Sequence, residues 1–311
     1  MTSQPSGGAL CCHVGGEQFA FRGSDVRLIA RAEQMLPDAG RDGRLGVLQQ
    51  AGADVPVYAL GTLLGQPAPA ARDVSHVVVT DGARGAFGVL VDRAVRVALD
   101  DGAAVLPLPA FVGPPAGRWF AGLLHDSRLT CLLLSPLGLQ SAGAQLGGPP
   151  DEPRPTAAAA RGTEAGEIVV LFRTPALPSC DADRYAIGAR RIGGVVQTLP
   201  SVPLPGAPRF VTGLSWWQGT AVPLLDFGAA GRRTSRSRYL LLRTRGGTYA
   251  GLPVEADVAL RRATAEDRQV RGGGDSFVKG LFSVGGERVA LIDVDALVAA
   301  DSHASIASYA G

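Results

Sequence analysis

An internal repeat is the feature of this 311-residue chain that most limits the folds it can adopt. Gly46, Gly52 and Pro56 return as Gly213, Gly219 and Pro223 at an offset of 167, Val77–Val79 with Gly88 return as Leu240–Leu242 with Gly251 at 163, and Trp119–Leu123 return as Phe277–Leu281. A block order that is shared over about 120 residues is far more specific than any single block. The chain therefore contains two copies of one structural unit.

The apolar runs predict that this unit is built from β-strands. They are short, rich in Val, Leu and Phe, and bounded by turn-forming residues, which is typical of an all-β domain. The predicted strands are Gln18–Phe21, Val26–Ala30, Val55–Ala59, Val74–Thr80, Ala86–Val91 and Leu129–Leu134. Helix is predicted only at Val294–Ala300 and in short turns near Gly61–Leu64 and Phe227–Ala230.

Glycine and proline inside these runs indicate how the strands bend. Glycine permits a bulge, a corner or a close backbone approach, and we assign this structural role to Gly46, Gly88, Gly122, Gly213, Gly251 and Gly280. Proline removes one hydrogen-bond donor, which predicts that Pro56 and Pro223 lie at the edge of a sheet or at the start of a strand. Each half is therefore predicted to be strongly curved β structure.

A change of composition separates the two copies. Residues 140–166 show no strand pattern and contain four prolines and a run of alanines. This composition predicts a largely extended linker with at most local helix. The expected domains are residues 8–140 and 166–303, joined by a linker over 141–165.

Composition also excludes several classes of protein. With 46% hydrophobic residues and a net charge of +2, the chain can bury a core and is not disordered. Its 28 acidic residues are interleaved with 30 basic ones, so we expect no nucleic-acid partner. The apolar runs are too short for a membrane helix and the start lacks a signal peptide, which predicts a cytoplasmic protein without direct membrane insertion. The four cysteines, at positions 11, 12, 131 and 180, are expected to be reduced thiols.

The second copy resembles the CheW-like domain family, the adaptor modules of bacterial chemosensory systems. The resemblance is carried by Arg184–Gly188, Pro208–Asp226, Tyr249–Val254, Val278–Leu281 and Val289–Asp293. Asp226 closes a segment similar to the family's Pro-Val-Val-Asp and is assigned a structural role on that basis. The first copy repeats the pattern more loosely between Leu10 and Leu139, with Ala59 in the place of Asp226.

This resemblance implies an all-β fold of two tandem CheW-like modules, each a pair of small five-stranded SH3-like barrels with few short helices. It also implies a non-catalytic scaffold that couples chemoreceptors to a CheA-type histidine kinase. The implied partners are the regulatory domain of that kinase and the cytoplasmic tip of a receptor or another CheW-like protein. No cofactor is implied.

One loop departs from the pattern of the family, whose members commonly carry Asn-Leu-Arg-Gly there. The second copy has Trp216, Trp217, Gln218 and Gly219, and the first copy has Gln49, Gln50, Ala51 and Gly52. Neither copy keeps the arginine, whose planar guanidinium has no equivalent in glutamine or alanine. We predict that Trp216–Gly219 and Gln50–Gly52 contact a partner, with contacts that differ from those of relatives.

The adjacent tryptophans have two readings. Consecutive residues of a strand face opposite sides, so at most one of Trp216 and Trp217 can enter a given core. The other is then available as an interface anchor, a role in which tryptophan is over-represented. The alternative is that both are packed in the interior.

Catalytic and metal-binding patterns are weak. The four histidines are widely spaced, and Cys12 and His13 diverge if they lie on a strand, so no metal is expected. Aspartates at 92, 126, 226 and 293 follow or bound strands, where they more often cap turns than act as acid and base. The chain is therefore not expected to be an enzyme.

A second hypothesis from another class is a β-barrel sensor of a small molecule or cofactor. Barrels can hold ligands, and an apolar pocket could be lined by Trp119, Phe210 or Trp216. A hydrolytic enzyme with an unrecognised site is a third hypothesis.

Overall fold

The structure is a computed structural model that describes most of the chain. The described residues are 8–37, 43–50, 53–65, 75–113, 115–143, 168–177, 182–208, 210–227, 238–255, 257–262, 277–284 and 286–299. They divide into two compact units, Met1–Asp151 with Val202–Pro208, and Glu152–Ser201 with Arg209–Gly311. We call the strands and helices up to residue 143 the first module and those from residue 168 the second module.

The first module consists of two six-stranded sheets. Its strands are β1 (Ala9–Val14), β2 (Glu17–Arg22), β3 (Val26–Arg31), β4 (Met35–Pro37), β5 (Arg44–Gln50), β6 (Ala53–Ala59), β7 (His76–Gly82), β8 (Gly85–Val91), β9 (Arg93–Val97), β10 (Ala104–Leu106), β11 (Phe120–His125) and β12 (Thr130–Leu134). Sheet A has the order β10-β11-β12-β2-β1-β9, and sheet B has the order β3-β7-β8-β6-β5-β4.

The second module also consists of two sheets. Its strands are β13 (Ile168–Phe172), β14 (Arg184–Gly188), β15 (Ile192–Val196), β16 (Ser201–Val202), β17 (Val211–Trp217), β18 (Thr220–Leu225), β19 (Arg238–Arg243), β20 (Tyr249–Val254), β21 (Ala259–Arg262), β22 (Val278–Val284) and β23 (Glu287–Ile292). Sheet C has the order β21-β13-β14-β23-β22, and sheet D has the order β15-β19-β20-β18-β17-β16.

The first and second modules have the same strand order in their corresponding sheets, so they share one fold. Sheet D repeats sheet B strand for strand, and sheet C repeats sheet A with every described strand in its place. None of the described strands of the second module corresponds to β10, and residues 263–276 lie outside the described residues. The predicted duplication and the all-β class with few short helices are confirmed. Three of the four sheets have six strands rather than the five that were predicted.

Bulges occur at the same places in both modules. The strand register shifts between Val26 and Leu28, Arg44 and Gly46, and Phe120 and Gly122, and it shifts again between Ile192 and Gly194, Val211 and Gly213, and Val278 and Gly280. Four of the six predicted structural glycines therefore lie at bulges. A bulge bends its strand and strengthens the twist, which is how a short sheet curls.

The two remaining glycines lie where a sheet folds over its own core. A Cβ on Gly88 would lie 2.7 Å from Cγ1 of Val77, and a Cβ on Gly251 would lie 2.7 Å from Cδ2 of Leu224. The register aligns Val79 with Leu241, since these residues pair with Gly88 and Gly251. The offset of β7 is thus one residue smaller than the sequence comparison gave, because the β19–β20 loop is longer.

Each sheet wraps around its own apolar cluster. In sheet B, Ala30 of β3 and Met35 of β4 come from opposite edges of the sheet, yet both pack with the buried residues Val57 and Val77. In sheet C, Ala259 of β21 and Phe282 of β22 also meet on one cluster. Edge strands can share a core only if the sheet is strongly curved, so the curvature predicted from the glycines is confirmed.

The prolines are not on edge strands, and that prediction is wrong. Pro56 lies on β6 between β5 and β8, and Pro223 lies on β18 between β17 and β20. The parallel pairing with β8 starts at Val57 and the pairing with β20 is at Leu224, one residue after the proline in each case. The missing N–H of proline therefore falls before that ladder begins.

Four short α-helices accompany the sheets in the described part of the chain. They are α1 (Leu60–Leu63), α2 (Ala116–Trp119), α3 (Pro136–Gly143) and α4 (Val294–Val298). The predictions near Gly61–Leu64 and at Val294–Ala300 correspond to α1 and α4. Phe227 is not helical, and residues 228–230 lie outside the described residues. No sequence pattern predicted α2 or α3, and the last residues of α3 fall in the segment that was predicted to be linker.

Candidate protein-binding site

The predicted loop of the second module is the tip of the β17–β18 hairpin. Trp216 pairs with Ala221 and Trp217 pairs with Thr220, so Gln218 and Gly219 form a two-residue turn. Both have positive φ, 46° and 74°, as a type I′ turn requires. Gln218 is the one non-glycine residue with positive φ among the described residues. The turn fixes the register of the hairpin and hence the position of both tryptophans.

The two tryptophans of this tip face opposite sides. Trp217 packs against the cluster that contains Val222 and Leu224, and its ring meets the ring of Tyr249 edge to face with centroids 5.0 Å apart. Trp216 is 38% exposed. The expectation that at most one of them enters the core is therefore confirmed, and the alternative of two interior tryptophans is not.

The corresponding tip of the first module lies on β5 and β6. Gln50 pairs with Ala53, just as Trp217 pairs with Thr220, and the bulge at Gly46 matches the bulge at Gly213. Gln49 is thus the counterpart of Trp216 and is likewise exposed. Ala51 and Gly52, which were also predicted to contact a partner, lie outside the described residues.

Asp226 follows β18 and anchors the chain as it leaves the hairpin. Its backbone N–H donates to the carbonyl oxygen of Phe210 at 2.7 Å, and the ring of Phe210 stacks on that of Phe227 with centroids 5.1 Å apart. In the first module Ala59 holds this place and is buried immediately before α1. The backbone bond would form with any residue except proline at this position, so the structural role of the Asp226 side chain stays a prediction.

The helix α4 ties the two sheets of the second module together. It follows β23 of sheet C, and Asp293 accepts hydrogen bonds from the N–H groups of Asp295 and Ala296 at its first turn. The carboxylate of Asp295 binds the guanidinium of Arg191, which precedes β15 of sheet D. It also accepts the backbone N–H of Arg245 at 2.8 Å and lies 3.1 Å from Nε of that residue.

In the first module a neutral side chain does the same work. Gln140 of α3 accepts the N–H of Arg84 at 2.6 Å and donates to the carbonyl oxygen of Gly85 at 3.2 Å, both at the β7–β8 turn of sheet B. Leu137 holds the place of Asp295 and is exposed. The same helix-to-hairpin link is therefore ionic in one module and uncharged in the other.

The ionic link of α4 should make the stability of the second module depend on pH. Burial acts to raise the pKa of Asp295, but the hydrogen bonds and charges of Arg191 and Arg245 outweigh it, and the pKa is lowered. A carboxyl with a lowered folded pKa stabilises the fold fully above its unfolded pKa of about 3.9 and loses that contribution as the pH falls through the folded value.

Replacing Asp295 with asparagine is therefore expected to lower the free energy of unfolding by about 1–2 kcal/mol at pH 7. The difference from the wild-type protein should shrink as the pH falls below about 4, since the unfolded wild-type chain then takes up a proton on Asp295 more readily than the folded protein does. Urea titrations of both proteins at pH 7 and at pH 3 measure this. Q140E in the first module is the control, and a constant D295N effect at both pH values would show that the carboxylate charge is not the cause.

Three of the four aspartates that were considered as acid–base partners cap a turn or a helix. Asp92 accepts the N–H of Gly15 at 2.9 Å, and Asp126 accepts those of Arg128 and Leu129 at 2.8 and 2.7 Å. Asp293 caps α4. The turn-capping expectation is confirmed for these three residues.

The cysteine–histidine segment does not converge on a metal site. Cys12 is fully buried while His13, its neighbour on β1, is half-buried on the other face. Burial raises the pKa of the Cys12 thiol to about 12, so it stays protonated at neutral pH and is a poor nucleophile. Among the described residues no three side chains of His, Cys, Asp or Glu come together as a metal centre needs.

The aromatic residues suggested for a ligand pocket are divided between the two units of the chain. Trp119 ends α2 of the first module, whereas Phe210 and Trp216 belong to the second. Phe210 is buried against Phe227, and Trp216 faces outward from β17. None of the contacts found here favours the sensor hypothesis.

The sequence analysis missed a set of exposed apolar side chains in the second module. Ile168 is 46% exposed, Val195 is 46% exposed and Leu260 is 73% exposed. All three lie on strands, where an apolar residue in a run reads as core. Only the strand register shows that they face outward.

No helix among the described residues has the length and apolar character to cross a membrane.

The comparison with protein-family models agrees with this duplicated architecture. The model of the CheW-like domain family matches the chain twice, at residues 8–139 and 177–302. Among solved structures, the scaffolding protein TtCheW of Thermoanaerobacter tengcongensis is 14% identical, with a TM-score of 0.38, and the match covers 44% of this chain and 92% of that one. No curated protein matches the chain. Because the two matches of the family model together cover most of the chain, the chain belongs to the CheW-like domain family and contains two such domains in tandem.

Proposed function

We propose that this protein is a non-catalytic adaptor of a bacterial chemosensory pathway, which couples chemoreceptors to a CheA-type histidine kinase through protein–protein contacts. The observation that carries the proposal is the double match to the CheW-like domain, supported by the strand order that both modules share. The proposed partners are the regulatory domain of the kinase and the cytoplasmic tip of a receptor or another CheW-like protein. The protein acts in the cytoplasm without a cofactor, a nucleic-acid partner or membrane insertion.

The tandem arrangement suits an adaptor. The proposed domains are residues 8–140 and 166–303, joined by a linker over 141–165. Two binding modules on one chain raise the effective concentration of one partner near the other, provided that the linker spans their sites. Coupling a receptor to a kinase then requires no covalent step.

The candidate contact surface is the tip of each β-hairpin, Trp216–Gly219 and Gln50–Gly52. A type I′ turn holds the second-module tip in one conformation, so little entropy is lost when a partner binds. Trp216 offers a large apolar surface beside that turn. The missing arginine at this tip means that the partner is recognised by apolar contact rather than by a bidentate guanidinium.

Direct binding tests the proposal. The full chain is immobilised and exposed separately to the purified regulatory domain of the CheA-type kinase and to a cytoplasmic-tip fragment of a chemoreceptor, both from the same bacterium. We expect saturable binding of at least one in the micromolar range or tighter, as for a specific transient interface. If neither binds, and the protein isolated from its own cells carries no chemosensory component, the adaptor role is refuted.

A further inference from the structure

The two modules share a fold but do not expose the same apolar side chains. The strand pairings show which residues of the two modules are equivalent. In the first module Gly122 pairs with Leu133, Leu133 with Ala20, and Ala20 with Cys11. In the second module the same positions are Gly280, Leu291, Ala186 and Leu171, paired in the same order. Leu171 pairs with Ala259 as Cys11 pairs with Val95, which extends the equivalence to β21 and β9. Each exposed position of one module can therefore be compared with its counterpart.

The outer face of β13 and β21 in the second module is apolar with a basic rim. Ile168 lies directly opposite Arg262, and Val170 lies opposite Leu260, so all four side chains are on one face of the sheet. Val170 is buried, whereas Ile168 and Leu260 are 46% and 73% exposed and Arg262 is exposed. We call Ile168, Leu260 and Arg262 the β21 surface.

The first module has no such surface at the corresponding place. Leu260 is replaced by Arg96, which lies opposite Leu10 as Leu260 lies opposite Val170. Gly8 replaces Ile168, and a Cβ on Gly8 would lie 2.7 Å from the carbonyl oxygen of Val97, so the backbone there leaves no room for a side chain. Compared with the second module, the first module has a cation, Arg96, in place of Leu260, and no side chain, at Gly8, in place of Ile168.

The hairpin tips also differ, with an apolar side chain in the second module and a polar one in the first. Trp216 of the second module has Gln49 as its counterpart, and both are exposed. At three equivalent positions the second module therefore presents Ile, Leu and Trp to solvent, where the first presents Gly, Arg and Gln. A partner surface that buries Leu260 would lose that apolar contact at Arg96 and would have to desolvate a guanidinium there.

We infer that the β21 surface of the second module holds a partner that docks there through apolar side chains, and that the first module has no second copy of this surface. This inference rests on the proposed adaptor function and adds to it that the two modules do not offer this partner the same surface. The occupant presents apolar residues together with a carboxylate, because Arg262 lies beside Ile168 on the same face.

The test is a titration of the full chain with each of the two probes named above, the kinase regulatory domain and the receptor-tip fragment. We expect the probe that docks on the β21 surface to bind at one site per chain. L260R, which installs the residue of the first module, should weaken that probe at least about tenfold. The melting temperature should hardly change, because Leu260 is 73% exposed. R96L, the matched change in the first module, should neither alter the affinity nor add a second site.

The outcomes separate the two claims. Two sites per chain for a probe that L260R weakens, or an equal loss from R96L, would overturn the asymmetry and leave the adaptor function standing. Wild-type affinity of L260R for both probes would overturn the docking surface. Failure of both probes to bind the wild type would refute the adaptor function, and the inference would fall with it.

Discussion

Replacing Gly138 with alanine is expected to destabilise the first module by about 1–3 kcal/mol, although alanine is the better helix former. Gly138 lies in α3 where this helix crosses α2. A Cβ added there would overlap the carbonyl oxygen of Arg118 and lie 2.6 Å from its carbonyl carbon. Both are backbone atoms, so the clash can be relieved only by moving one helix away from the other.

Gly117 provides a matched control in the neighbouring helix. It lies in α2, and nothing comes within 4 Å of the Cβ that an alanine would add. G117A should therefore leave the stability unchanged or raise it by up to about 1 kcal/mol, since alanine restricts the unfolded chain and favours helix. The two variants make the same chemical change with opposite expected signs.

Equilibrium unfolding in urea, followed by circular dichroism, measures both variants. The midpoint of G138A should fall, and that of G117A should stay or rise. Because α3 also carries Gln140, which binds the β7–β8 turn, hydrogen exchange of Arg84 should quicken in G138A. Equal stability of the two variants would show that α2 and α3 do not pack as closely as described here.

The repeat could be recognised in the sequence because it is marked by glycines at positions where the fold restricts the size of the side chain. Gly46 and Gly213 allow matching bulges, and Gly88 and Gly251 leave room for facing side chains over a curved core. A side chain at Gly88 or Gly251 would require the facing Val77 or Leu224 to move, so glycine recurs at both places in this chain. Strand positions followed because short Val- and Leu-rich runs between turns have few alternatives to β structure.

The elements that the sequence did not reveal depend on contacts between distant residues. The helix α2 is only four residues long, and α3 contains Gly138, which disfavours helix locally. It is packing against α2 and the hydrogen bonds of Gln140 that hold α3 in place. The prediction that Pro56 and Pro223 lie on edge strands failed because an inner strand accepts proline just before its parallel pairing begins. No local sequence pattern marks where that pairing begins.

The candidate site was visible only in part for a similar reason. A pair of adjacent tryptophans next to a turn signal indicates that one faces outward, because strand geometry forces them apart. Which one faces outward depends on a bulge at Gly213 and on Tyr249, which is distant in sequence. Leu260 is an apolar residue of a strand, and only the register of β21 shows that it is 73% exposed; comparison with β9 adds that its counterpart is Arg96.

Trp216 and Trp217 are expected to separate binding from stability. W216A should weaken the binding of a partner that contacts the hairpin tip by about 2 kcal/mol or more, since Trp216 is 38% exposed at the end of a rigid hairpin. The free energy of unfolding should change by less than about 0.5 kcal/mol. W217A should do the reverse and cost about 3 kcal/mol of stability, because this ring packs on the cluster around Leu224 and on Tyr249.

The measurement pairs a binding titration with a thermal melt for each variant, at a temperature where W217A remains folded. W216F is the control for loss of the apolar surface as such, and it should retain more of the affinity than W216A, because a smaller aromatic ring still fills part of the same contact. Q49A tests the counterpart position of the first module and should leave the affinity for that partner unchanged. A large fall in stability for W216A would place its ring in the core, and the hairpin tip would then lose its role as an anchor.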